Sequence, residues 1–432
     1  MSLILEKHPG IPGAPPCPEF PFALAQNGIH PMTTTEPRIR SGNEWLSAAK
    51  EVAAELAVNA AERDRKNETP YAEVRLLKDS GLVTLLGPVE HGGGGQSWET
   101  AYRVIREVAR GDGSIGQLLG YHYLWAWAAR LVATDDQIAA VEELYTRNDF
   151  FFGGAVNPRD SDLKIAEDGD EIVYNGHKSF STGSKVSDLT VLEGVLEGTE
   201  DHIFAIVPSG QDGIVFHDDW DNIGQRLTES GSVTITDVRV PWASAAGYVD
   251  KKFHPLTYNT LNVPAIQLVF ANFYLGIAQG ALETALAYTR EHTRAWPYGG
   301  DNKPSAGEEW YILDGYGDLQ SKLWAAEALV DKAGTAISAV LHAPREELTP
   351  EARGEVAVLI AAAKQRVIDT GLEIGTKIFE LTGARASATK YGLDRFWRNL
   401  RTHSLHDPVA YKRREVGAYA LLNELPEPTW YT

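Results

Sequence analysis

With 432 residues, 43% hydrophobic and 23% charged, the chain is long enough for about three folded units and too apolar to be wholly disordered. Its formal net charge of −19, with no basic block to offset it, excludes nucleic acid as a general partner. Cys17 is the single cysteine, so neither an intrachain disulfide nor a cysteine-rich metal site can form.

The first 40 residues read as a flexible tail, with six prolines between Pro9 and Pro21 and neither helical nor strand periodicity. No signal peptide, Arg-rich presequence or run of 18 apolar residues is evident, so a cytoplasmic protein away from membranes is expected. Residues 41–149 follow as a helical domain. Trp45, Ala49, Val52, Ala53, Leu56 and Ala57 recur at three- and four-residue spacing within a helix over 43–66. Further helices fit 70–80, 97–109 and 114–133, and Thr134–Gln137 matches a capping box opening a helix to about Tyr145. The Gly92–Gly95 run lacks the Lys-Ser/Thr of a phosphate loop and reads as a turn.

Between 150 and 243 the pattern changes to short β-favouring runs, EIVYNG, DLTVLEGVL, HIFAIVP, GIVFHDDW and GSVTITDVRVP, separated by turn residues. That spacing predicts an antiparallel sheet domain. From 244 to 432 long apolar-striped helices return, at 264–295, about 315–341 and about 350–383, as in an antiparallel bundle. The fold class expected is therefore α+β, with a β domain between two helical ones.

The segment Phe396–Pro408, FWRNLRTHSLHDP, crowds Arg398, Arg401, His403, His406 and Asp407 among aromatics, with Arg395 just before it. Such groups are costly to bury without partners, so they face a ligand or an ordered polar network. The remaining histidines, His202 and His217 among them, lack ligand spacing, and no metal site is expected.

The order helices, β insert, helical bundle resembles the acyl-CoA dehydrogenase fold over about 43–432. Six strings carry a closer resemblance to its flavin-dependent monooxygenase branch, typified by dibenzothiophene monooxygenase. They are LLGYH (118–122), KSFSTGSKVSD (178–188), DDWDNIGQR (218–226), TESGSVTITDVRV (228–240), PAIQLVFANFYLGIAQGAL (264–282) and YGLDRFWRNLRTHSLHDPVAYK (391–412). The last is the most specific. Where dehydrogenases place a catalytic glutamate, the turn reads Leu405-His406-Asp407-Pro408.

That resemblance implies a two-component monooxygenase. FMNH2 from a separate NAD(P)H:flavin oxidoreductase would react with O2 to a C4a-hydroperoxide in a dry pocket, and oxygen would pass to a hydrophobic aromatic or heteroaromatic substrate. His406 is the expected proton donor, with Asp407 orienting it. Tyr121 would line the pocket, although the histidine usual four residues before it is Gln117 here. Phe180, Ser181 and Thr182 would meet the isoalloxazine edge, and Trp220 its ring. Arg294, Arg385 and the adjoining Ala384 would hold the phosphate, one arginine reaching a neighbour's flavin in a homotetramer. Gly153, Gly154 and Asn157 would belong to a lid, with Gly154 replacing an asparagine.

Two other readings carry a different chemistry. An FAD-dependent acyl-CoA dehydrogenase would need Asp407 as its α-proton base. A silent flavin-binding protein would need none of these groups to react. No strand–Gly-x-Gly–helix pattern for a nicotinamide cofactor is visible.

Overall fold

A computed structural model describes residues 40–432; the expected tail lies outside them except for its last residue. Six helices come first: α1 (Gly42–Val58), α2 (Ala60–Lys66), α3 (Tyr71–Asp79), α4 (Trp98–Gly111), α5 (Gly113–Val132) and α6 (Asp135–Asn148). The single helix expected over 43–66 divides at Asn59, whose φ of −117° and ψ of 15° leave the helical region. The capping box forms as expected, with Thr134 and Gln137 exchanging side-chain and backbone hydrogen bonds at the start of α6. Gly92–Gly95 is a turn, folded back so that the Gly95 amide donates to Gly87.

The central domain is a seven-stranded sheet in the order β1-β4-β2-β3-β7-β6, with β5 paired to β4. Its strands are β1 (Phe152–Ala155), β2 (Lys164–Asp168), β3 (Glu171–Lys178), β4 (Leu189–Leu196), β5 (His202–Pro208), β6 (Ile214–Phe216) and β7 (Val233–Pro241). The expectation of a wholly antiparallel domain needs correction, because β1 and β2 both run parallel to β4. The chain leaves β1, builds β2 and β3, and only then returns to β1's edge, so the crossover imposes parallel pairing. β6 also stops earlier than its run suggests. Asp219 accepts from both the amide and the hydroxyl of Ser232, which turns residues 217–220 out of the sheet. A two-stranded ribbon, β8 (Tyr248–Val249) with β9 (Lys252–Phe253), ends the domain.

The C-terminal part holds α7 (Asn262–His292), α8 (Trp310–Leu341), α9 (Pro350–Thr382), α10 (Asp394–His403) and α11 (Val409–Leu422). α7 packs on α4, α5, α8 and α9 and is the axis of the bundle. By length and apolarity the Thr257–His292 span could cross a membrane, but 89% of its most apolar window is buried inside the protein, as in a core helix. One large core unites α1, α4, α5 and the bundle, and a second fills the sheet.

Candidate active site

The Phe396–Pro408 segment forms α10 and the turn after it, laid against α7 and α9. His403, at the last turn of α10, is buried between two tyrosines. Its Nε2 lies 3.1 Å from the Tyr121 hydroxyl on α5, and its Nδ1 lies 2.6 Å from the Tyr274 hydroxyl on α7. Tyr274 also donates to the His403 carbonyl at 3.0 Å. A hydroxyl has one proton, so His403 Nδ1–H donates to Tyr274 and Nε2 accepts from Tyr121. Burial, then the nearby His406 and Lys364, pushes the His403 imidazole well below its ordinary range, which keeps it neutral as this wiring requires.

His406 stacks on His403, with ring centroids 5.6 Å apart and 13° between planes. Phe270 of α7 packs edge-on against both imidazoles, at 4.5 and 4.8 Å. The His406 side chain remains 34% exposed, and its Nδ1 lies 3.2 Å from Asp407 Oδ1. Desolvation lowers its pKa, partly offset by the hydrogen bond to Asp407. Asp407 is buried and bound by the Lys364 ammonium, itself buried within α9 and also hydrogen-bonded to Gln267. Burial alone would raise the Asp407 carboxyl, but His406 and Lys364 hold it well below the usual carboxylate range.

Sequence reasoning missed Gln267, Phe270, Tyr274 and Lys364. The first three recur at a spacing of three and four along α7 and therefore share one face. Lys364 directly follows the Ala361–Ala363 run, and a cation set into that apolar stretch was the available signal.

The turn after β3 carries Phe180, Ser181 and Thr182. Ser181 donates to the Gly231 carbonyl at 2.6 Å, and Thr182 shares a 2.8 Å hydrogen bond with Ser230. Phe180 is 58% exposed at a left-handed φ of 58°, edge-on to Trp220 at 6.1 Å. A bulky side chain held out at positive φ is an uncommon arrangement and leaves an open aromatic pair beside the two hydroxyls. The Trp220 indole is tied to the Gln225 carbonyl at 2.8 Å, and the Gln225 amide donates to Asn399 on α10 at 2.7 Å. The Trp220 loop and the His403–Asp407 cluster thus hang on the same helix. Gln117 is buried on α5 with its side-chain oxygen unpartnered, and Asp407 Oδ2 is likewise buried without a partner. Unpartnered buried acceptors at Gln117 and Asp407, and separately the open Phe180–Trp220 pair, fit a planar ligand that donates hydrogen bonds, as an isoalloxazine does.

Of the lid expected at Gly153, Gly154 and Asn157, the two glycines belong to a strand and not to a loop. Gly153 and Gly154 lie inside buried β1, in register with Thr190 and Val191 of β4. A Cβ on Gly153 would meet the Ser184 backbone at 2.5 Å, and one on Gly154 would meet the Trp125 indole at 2.5 Å. These glycines permit close packing rather than hinging. Asn157 follows the strand, its amide donating to Glu193 and its carbonyl accepting from Lys178, a pair fully buried in the sheet.

Trp125 packs edge-on against Tyr121 at 6.2 Å and also lines a cavity of about 1970 Å³. This cavity is walled also by Phe204, Tyr248 and Trp430, and neither His403 nor His406 is part of its lining.

Arg294 and Arg385 lie elsewhere. Arg294 follows the end of α7, and Arg385 follows α9 beside Ala384. A Thr293–Thr382 hydrogen bond of 3.0 Å ties the two loops together, and both arginines are exposed. Tyr274 and His292 occupy one helix, so roughly 27 Å of helix separates the histidine cluster from these cations. No group of His, Cys, Asp and Glu among the described residues is arranged for a metal.

Residues 45–141 match the acyl-CoA dehydrogenase N-terminal domain, and residues 268–410 match its C-terminal domain. The chain is 38% identical over 388 residues to the probable FMNH2-dependent monooxygenase SfnC of Pseudomonas putida, spanning 90% of this chain and 97% of that protein. It is also 38% identical to dibenzothiophene monooxygenase of Rhodococcus qingshengii, spanning 91% and 96%. The chain belongs to the acyl-CoA dehydrogenase family, in its FMNH2-dependent monooxygenase branch.

Solved structures agree with that assignment. Methanesulfinate monooxygenase MsuC of Pseudomonas fluorescens superposes with a TM-score of 0.86 at 38% identity, covering 90% of this chain and 99% of that one. TdsC of Paenibacillus sp. A11-2 in complex with FMN and indole gives 0.85 at 35%, covering 90% and 100%. Butyryl-CoA dehydrogenase of Megasphaera elsdenii, at 19% identity and a TM-score of 0.74, shares the fold.

Proposed function

We propose that this enzyme binds FMNH2 against the Phe180–Thr182 turn and Trp220, and uses it with O2 to oxygenate a hydrophobic aromatic or heteroaromatic substrate, a thiophene sulfur among the candidates. One observation carries this reading over the dehydrogenase alternative. The carboxylate in the C-terminal turn, Asp407, is buried and ion-paired to Lys364, which holds it below the usual carboxylate range and occupies Oδ1, an oxygen an α-proton would need. The group left partly open in that turn is the His406 imidazole.

When bound, the reduced flavin supplies the electrons that activate dioxygen. The protein's part is to position, to exclude water and to manage protons. Trp220 and Phe180 give the ring an aromatic seat. Tyr121, His403 and Tyr274 form a closed, neutral hydrogen-bond chain that brings no loose proton to the site. His406, held through Nδ1, keeps Nε2 as the nitrogen left to accept and return a proton.

Arg294 and Arg385 stand roughly 27 Å of helix away from the histidine cluster, and we assign them to the phosphate of a neighbouring subunit's flavin. Trp296, Trp310, Leu313 and Trp324 are all more than half exposed near that end and along α8, a surface suited to burial in a homotetramer. The reductase is a separate protein, and the enzyme acts in the cytoplasm. Purified protein with NADH, FMN and dibenzothiophene or indole should give no oxygenated product until a generic flavin reductase is added. Turnover without the reductase would refute the two-component reading.

A further inference from the structure

Lys364 has no part in the chemistry outlined so far, yet it is one of the least comfortable residues in the molecule. It is 1% exposed in the middle of α9, surrounded by the apolar faces of α7 and α9. A buried ion pair is often no more stabilising than well-packed apolar residues of the same volume, so its presence calls for a role. Its ammonium reaches Asp407 Oδ1 and Gln267 Oε1 and lies 5.3 Å over the Phe270 ring, the ring that packs both imidazoles.

We propose that Lys364 is a positioning residue for His406: by neutralising Asp407 it fixes Nδ1 of that imidazole as the protonated nitrogen and leaves Nε2 to exchange a proton with the bound reactants. The inference rests on the reading of His406 as the proton-handling group.

The physical argument is charge accounting in a dry site. Asp407 Oδ1 receives both the Lys364 ammonium and His406 Nδ1, while Oδ2 has no partner. If Lys364 were absent, the buried carboxylate would keep only His406 Nδ1 and a 3.5 Å contact from the neutral Gln267 amide, and it would hold His406 as an imidazolium. Such a histidine would be locked in an ion pair instead of gaining and losing a proton. With Lys364 present the carboxylate is already compensated, and the imidazole need only donate Nδ1–H. The other titratable groups facing His406 are His403 from α10 and Tyr431 from the C-terminal segment, at 5.6 and 5.9 Å between ring centroids. Around Lys364 stand Lys412 and Glu415 of α11, a pair of opposite sign at 2.9 Å that largely cancels. Burial draws the Lys364 ammonium down to about 8, with Asp407 opposing that shift, so it remains charged at neutral pH.

The experiment is a pH titration of the full-length protein labelled with nitrogen-15 histidine, His406 being assigned by its loss in His406→Gln. The wild type should show Nδ1–H and a midpoint below that of free imidazole. In Lys364→Met the midpoint should rise by about one pH unit or more, as for a histidine left alone with a buried carboxylate. Lys364→Met combined with Asp407→Leu leaves no uncompensated charge, so this double variant keeps the test open should the single one misfold. It should revert to the Nε2–H tautomer that neutral imidazole prefers in water. A His406 midpoint unchanged in Lys364→Met, or Nδ1–H retained in the double variant, would overturn the proposal and leave Lys364 a structural residue. None of these readouts needs turnover, so they stand apart from any failure to oxygenate a substrate.

Discussion

Gly154 and Trp125 occupy one volume: a single Cβ on the glycine would come within 2.5 Å of the indole Nε1 and Cε2. The Gly154 amide also donates to the Thr182 carbonyl at 3.1 Å, and Trp125 packs on Tyr121. The glycine therefore links the flavin-edge turn to the histidine cluster through the indole it admits.

Gly154→Ala should destabilise the protein by about 1–3 kcal/mol, the usual range for overpacking a close-packed core. Trp125→Ala should remove most of that penalty, so the two substitutions together should cost less than their sum. Thermal unfolding of both single variants and the double variant checks this. Strict additivity would mean that the two residues do not share the volume.

Tyr274→Phe should harm the site more than Tyr121→Phe. Tyr274 satisfies both the ring Nδ1 and the carbonyl of His403, while Tyr121 satisfies Nε2 alone. Leaving buried partners unmet costs about 1–3 kcal/mol per group. Chemical denaturation of the two variants side by side gives the order, and equal losses would contradict it.

Much of this was legible in sequence because it rests on periodicity and on motif strings. The helix runs, the capping box at Thr134 and the split between helical and β segments follow from local chemistry. The cluster was half legible: His403, His406 and Asp407 lie within a few residues of one another, but Lys364 and Tyr274 are brought to them by α7 and α9 packing. The misread lid at Gly153 and Gly154 shows the limit clearly. Two adjacent glycines signal a hinge or a close approach equally well, and only the partner, Trp125 on another element, decides between them.

Acid should destabilise the fold between about pH 6.5 and 4. His122 is buried, its Nε2 at 2.7 Å from the Val83 carbonyl and its Nδ1 accepting from the Phe152 amide. Burial lowers its pKa to about 4. The folded pKa lies below the unfolded one, so the unfolded chain binds the extra proton, and stability falls as pH drops through that window. The loss is on the order of 3 kcal/mol for this one group. Asp407, with its folded pKa also depressed, adds to the loss below the ordinary carboxylate range. Unfolding temperatures measured from pH 7 to 4.5 should decline. A flat profile would show that His122 is not buried neutral.

Arg294→Ala and His406→Ala should each abolish or strongly reduce oxygenation, by about 10²–10⁴-fold for an acid–base group. If each site takes its phosphate anchor from a neighbour, subunits of the two variants mixed and reassembled should recover part of the activity. No recovery from tetramers verified as mixed would place Arg294 in the same site as His406.

The most direct test of the account follows the oxygen atom. The enzyme, FMN, NADH and a generic flavin reductase are incubated with a panel of heteroaromatics under ¹⁸O₂, and the products are read by mass spectrometry. One ¹⁸O atom in the product, absent when the reductase is omitted and lost with His406→Ala, is the predicted result. Bleaching of a bound flavin by an acyl-CoA, with no labelled product from any substrate, would contradict it.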